Sequence, residues 1–113
     1  MIRGTTPTIN IKFPVEVSTI TKIRIYFKQG SETVLVKEEG DCTFDGYIVS
    51  TTLTEEETYK FTAKKRVEIN ARFALTSGKV GGMLSKYVDV YDTGDPEEEL
   101  LIDATEDATD VTN

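Results

Sequence analysis

The side chains with chemical potential in this chain are mostly carboxylates, and they are crowded at one end. Nine of the 20 acidic residues fall in the last 22 positions, among them Asp92, Asp95, Glu97, Glu98, Glu99 and Asp103, with no Lys or Arg between them. Asp89, Asp92 and Asp95 could gather oxygens around calcium, which takes about six to eight oxygen ligands. Their spacing lacks the alternating Asp/Asn ladder and central glycine of a calcium loop, so a solvated charge run is the better reading. The chain has no histidine, which removes the commonest general base, the histidine triads and histidine-ligated metals. Paired carboxylates alone suffice for glycoside hydrolysis, but nothing in the spacing singles out a pair. Cys42 is the lone cysteine, without a CxxC partner, and reads as a reduced thiol in a folded strand. Gly78-Lys79 and Gly81-Gly82 lack the spacing of a phosphate loop and read as a hairpin connection. No catalytic, cofactor-binding or metal-ligating residue is assigned, and no cofactor is expected.

The remaining charge belongs to the body of the chain. Of 113 residues, those before Asp92 carry 11 acidic and 13 basic groups, a net of +2 against -7 for the whole. This divides the chain into a near-neutral domain, 1–91, and an acidic tail, 92–113, read as disordered. Lys22, Arg24 and Lys28 form a basic strand face with Tyr26 among them, and Lys64-Lys65-Arg66 form a basic knot. A nucleic-acid surface needs a denser basic stripe, so no nucleic acid is expected. The basic face could receive the acidic tail. Exposed ion pairs contribute only about 0–1 kcal/mol each, so such docking would need Leu100-Leu101-Ile102 to add burial. Tyr87, Asp89 and Tyr91 share a face of the last strand, and exposed tyrosines beside a carboxylate can bind sugars. The surfaces marked for contact are therefore Arg24, Tyr26 and Lys28, and Tyr87, Asp89 and Tyr91.

Strands position all of these groups. Ile9, Ile11 and Phe13 alternate with polar residues, as do Ile23, Ile25 and Phe27, and Val67, Ile69, Ala71 and Phe73. A period of two sends one set to a core and the other to water. Turn residues part the runs at Gly30, Gly40, Asp45-Gly46 and Ser77–Gly82, and Asp45-Gly46 fits a two-residue type I′ hairpin. Seven strands are expected, at 7–13, 22–28, 33–38, 41–44, 47–53, 66–75 and 83–91. Thr54-Glu55-Glu56-Glu57 is a capping box that predicts one helical turn near 54–60, with Tyr59 and Phe61 near the core. The class is all-β: a small Greek-key, immunoglobulin-like sandwich. A body of about 90 residues buries roughly 60–65% of its unfolded surface, enough for a modest core. Ile2 to Thr8 is too polar for an export signal, and no apolar run reaches the roughly 18 residues of a membrane helix.

The opening Met1-Ile2-Arg3-Gly4-Thr5-Thr6-Pro7-Thr8, the Asp41-Cys42-Thr43 strand start and Leu53-Thr54-Glu55-Glu56-Glu57-Thr58 before Phe61 resemble a family. It comprises small prophage proteins of Gram-positive bacteria encoded in the tail and lysis region. The likeness covers about residues 1–100. The family is similar in fold to the immunoglobulin-like N-terminal domains of phage baseplate proteins. The resemblance implies a non-enzymatic structural or accessory virion protein, assembled in the host cytoplasm, whose partners are tail or baseplate proteins or further copies of itself. The alternative is a carbohydrate-binding module for host cell-wall polymers. The chain departs from antibody domains in having no Trp and no second Cys.

Overall fold

A computed structural model describes residues 1–91, 99–103 and 108–111. Seven strands occupy the body: β1 (Thr8–Lys12), β2 (Ile20–Gln29), β3 (Glu32–Glu38), β4 (Thr43–Asp45), β5 (Ile48–Thr52), β6 (Val67–Leu75) and β7 (Val80–Val88). A short helix, α1 (Glu55–Tyr59), follows β5, and 3-10 turns stand at Val17–Thr19 and Glu39–Asp41. Two further strands, β8 (Glu99–Asp103) and β9 (Ala108–Val111), lie in the tail.

The strands form two layers, β4-β5-β1-β8 and β3-β2-β6-β7-β9. The chain crosses between layers after β1, after β3, through α1 after β5, and again after β7 and after β8. This is the Greek-key pairing of an immunoglobulin-type sandwich, with D-E-B in one sheet and C′-C-F-G in the other. The place where such domains carry their first strand, beside β1, is taken by β8. All pairs are antiparallel except β1 with β8.

The alternation read from the sequence is what fills the space between the sheets. Ile9, Ile11 and Phe13 meet Ile23, Ile25, Phe27, Val67, Ile69 and Phe73, all nearly or fully buried. Phe13 and Phe73 touch edge to face with ring centroids 5.1 Å apart, the arrangement that aromatic quadrupoles prefer. Phe27 lies against Phe61 at 6.2 Å.

Local chemistry sets the ends of several elements. The Thr54 hydroxyl accepts from the Glu57 N–H at 3.1 Å, and Glu57 Oε1 accepts from the Thr54 N–H at 2.8 Å, so the expected capping box starts α1. Phe61 is buried as expected, but Tyr59 is 54% exposed. It lies over the N-terminal segment instead of the core. Asp45 and Ile48 pair across the β4–β5 hairpin, so Gly46 and Tyr47 form its turn, and only Gly46 has a positive φ, +59°. One positive φ at the first central position is the type II′ pattern, which corrects the type I′ expectation. Cys42 stands just before β4, partly buried against the core, with its thiol 3.3 Å from the Glu38 carbonyl. Burial pushes that thiol above its ordinary pKa.

The last body strand begins earlier and ends sooner than expected. Gly81 and Gly82 are strand residues, because the Phe73 ring occupies the place of a side chain at Gly81: a Cβ there would lie 2.5 Å from Phe73 Cζ. After Val88 the chain leaves β6 and joins the N-terminal segment. The Met1 ammonium donates to the Asp89 carbonyl at 3.0 Å, and Tyr91 bridges Ile2 in parallel. Within the tail the structure describes two short strands. Residues 99–103 pair with the free edge of β1 and residues 108–111 with the free edge of β7, and Ile102 is 6% exposed within the core. The rest of the tail, including Asp92 and Asp95, lies outside the described residues.

Candidate functional site

The outer face of the five-stranded sheet gathers most of the groups marked for contact. On β2, Ile23, Ile25 and Phe27 point inward, so Lys22, Arg24, Tyr26 and Lys28 stand on the opposite side. Register then sets their neighbours. Glu38, Arg24 and Arg72 form one row across β3, β2 and β6. Val36, Tyr26 and Asn70 form the next, and Thr33, Lys28, Glu68 and Tyr87 a third. The structure therefore brings Tyr87 onto the same face as Arg24, Tyr26 and Lys28. Sequence distance gave no sign of this, because the link runs through the β2–β6 and β6–β7 pairings.

The electrostatics of the rows differ. Arg24 Nε donates to Glu38 Oε2 at 3.2 Å, and both side chains are more than half exposed. The Tyr26 hydroxyl first, and the Glu38 carboxylate next, hold the Arg24 guanidinium above its ordinary pKa. Arg72 stands directly opposite Arg24, so one acid faces two guanidinium groups in that row. Glu39 lies nearby. Hydrogen bonds from its own N–H and from the Ile23 N–H pull its carboxyl below the usual range. Lys22, Arg24, Tyr26, Glu38, Glu39 and Arg72 line an open cleft of about 360 Å³, together with the apolar Ala74 and Val80. Lys28 Nζ is 5.8 Å from the Tyr26 ring centroid. Ser85 and Asn70 both donate to Glu68, which occupies the third row's acid.

The second marked group is divided. Tyr87, Asp89 and Tyr91 are all exposed while Val90 between them is buried, so the alternation persists beyond the end of β7. The Tyr91 hydroxyl lies 3.4 Å from Asp89 Oδ2, beside the N-terminal segment and off the sheet. The Arg66 guanidinium sits 4.3 Å from the Tyr87 ring centroid and covers one ring face. The contribution of the Lys64-Lys65-Arg66 knot is thus a cation–π contact, which pairing alone reveals. Arg72 was legible only as a polar member of the β6 alternation. Among the described residues no group of three or more carboxylates or thiols is placed to hold a metal ion.

Two segments away from this face pack on each other. The Gly4 N–H donates to the Thr58 hydroxyl at 2.8 Å, and that hydroxyl donates to the Glu55 carbonyl at 2.8 Å. An Arg3 amino group reaches the Tyr59 carbonyl at 3.3 Å, and the Leu53 N–H donates to the Pro7 carbonyl at 3.0 Å. Gly4 has φ +79°, and a Cβ there would lie 2.5 Å from the Tyr59 hydroxyl. Both the conformation and the space call for glycine. The N-terminal segment and α1 together close one end of the sandwich.

The fold and this face define a small immunoglobulin-type β-sandwich with an open basic and aromatic sheet surface. No protein-family model, no curated protein and no solved structure matches the chain.

Proposed function

We propose that this protein is a non-enzymatic contact module, a structural or accessory component of a phage virion that binds tail or baseplate proteins. The observation that supports it is the outer face of the β3-β2-β6-β7 sheet. There Arg24, Arg72, Tyr26, Lys28, Val36 and Tyr87 stand in three adjacent rows. Tyr and Arg are the residues that most often carry protein–protein binding energy, and here Tyr26 stands directly opposite the exposed apolar Val36 of the edge strand. The phage context rests on the resemblance of Met1–Thr8 and Leu53–Thr58. The test is mass spectrometry of purified particles from a lysogen encoding the chain, alongside an Arg24→Glu/Arg72→Glu variant. Stoichiometric presence, lost in the variant while its circular dichroism stays native, supports the reading. Absence of the native protein from intact particles overturns it.

A second reading, binding of cell-wall glycans, is favoured by the exposed Tyr91 hydroxyl beside Asp89. The Arg66 guanidinium over Tyr87 weighs against that ring as a stacking platform. Calorimetric titration with a panel of wall glycans decides it: heat that Tyr91→Ala abolishes supports this reading, and no heat with any glycan removes it.

A further inference from the structure

Among the described residues the four-stranded sheet ends at β8, whose one strand partner is β1. The register is parallel and unbroken over five positions, from Thr8 opposite Glu99 to Lys12 opposite Asp103. The strand places Ile102 in the core, at 6% exposure. Among the residues whose burial is described, every other member of that core cluster lies between Met1 and Val90. The described acceptor is built from residues of the body. It consists of the β1 backbone edge, already paired on its other side with β5, and the core slot that takes Ile102. With β8 withdrawn this edge would be unpaired, and an unpaired strand edge is a template for another chain.

We infer that the β1 edge is a strand-acceptor site, and that its second occupant is the Glu99–Asp103 segment of another copy of this chain. Nothing in the acceptor depends on which copy supplies β8. The parallel ladder, the burial of Ile102 and the placement of Lys12 opposite Asp103 are the same in either case, so exchange conserves them. Among the described residues the donor strand has β1 as its one strand neighbour, and the next strand, β9, is paired with β7. Reciprocal or serial exchange of this kind links sandwiches through main-chain bonds, the mode known as β-strand addition. The inference gives the contact-module reading a partner, a second copy, and rests on that reading for its purpose.

The test uses the full chain carrying Cys42→Ser, with Lys12→Cys in one population and Asp103→Cys in another. Mixed under mild oxidation, the two should form the mixed disulfide dimer several-fold in excess of either homodimer, with a yield that rises with protein concentration. Adding Ile102→Asp to the Asp103→Cys chain should remove the excess while circular dichroism stays native. A random distribution of dimers, or monomer alone at every concentration, overturns the exchange. A single chain carrying both cysteines must close an internal disulfide, and failure to do so refutes the β1–β8 register and the inference with it. Exchange that fails while the protein is found in particles separates this inference from the contact-module reading.

Discussion

The ion pair between Lys37 and Glu57 ties an edge strand to the crossover helix, and its removal should be costly. Lys37 Nζ lies 2.8 Å from Glu57 Oε1, and the two side chains are only 10% and 19% exposed. At an effective dielectric of about 20, charges this close attract by about 6 kcal/mol before desolvation is subtracted. Removing one partner of a fully buried pair costs roughly 3–5 kcal/mol. The residual exposure here lowers the expectation for Lys37→Met to about 2–3 kcal/mol. That corresponds to a fall in Tm of roughly 10–15 °C for a domain of this size. The assay is urea unfolding at pH 7, with the double variant Lys37→Met/Glu57→Leu closing the cycle and recovering part of the loss. The pH dependence is a separate check. Burial pushes the Glu57 carboxyl up, but the Lys37 ammonium and the Thr54 N–H outweigh it and hold the folded pKa below the ordinary 4.5. A depressed folded pKa gives stability that is complete above the unfolded value and lost as pH falls through the folded one. The stability gap between the native chain and Glu57→Gln should therefore be constant above about pH 5 and close below about pH 4.5. A Lys37→Met cost below about 0.5 kcal/mol, typical of a plain surface change, would refute this reasoning.

Gln29→Leu should cost about 2–3 kcal/mol in urea unfolding. The buried Gln29 amide donates to the Thr62 and Lys65 carbonyls at 2.9 and 3.2 Å and accepts from the Thr62 N–H at 2.7 Å. Hydrogen exchange at Thr62 should quicken in the same variant. Gly81→Ala should lower stability by about 1–3 kcal/mol, because the Phe73 ring must yield and it already packs on Phe13. A thermal melt reads it, and double substitution with Phe73→Leu should restore part of the loss. Lys64 has φ +64° while its N–H donates to the Val90 carbonyl at 2.9 Å. Lys64→Gly relieves about 1 kcal/mol of left-handed strain and should leave Tm unchanged or raise it, whereas Lys64→Val should lower it.

The alternating runs of β1, β2 and β6 made the body of the fold legible. Their inward residues are the core, and no other period fits them. The capping box made α1 legible, since both of its hydrogen bonds are local. Tyr59 was misplaced because it ends α1 against Arg3 and Gly4 of the opening segment, while Phe61, two residues past the helix, is the aromatic that enters the core. The ends of β7 were obscured by Gly81 and Gly82, which signal a turn until the Phe73 ring across the sheet explains them. The strands of the tail were masked by their acidic neighbours. Leu100-Leu101-Ile102 was the visible trace of β8, but an apolar triplet does not say which edge it will join. The contact face was legible residue by residue on β2. Its extension to Arg72 and Tyr87 was not, because register is a property of paired strands.

The closure of the sandwich by Gly4, Thr58 and the Leu53–Pro7 bond bears on how such proteins would diverge. The opening segment and the α1 segment share hydrogen bonds, so a change in one constrains the other, and both are tied to the integrity of the domain. The rows from Arg24 to Tyr87 lie on a separate surface and carry no such burden. Two chains alike in their first eight residues and at α1 would share that closure and yet be free to differ along those rows. Likeness detected through that end of the molecule therefore speaks to the scaffold and says nothing of the sheet face.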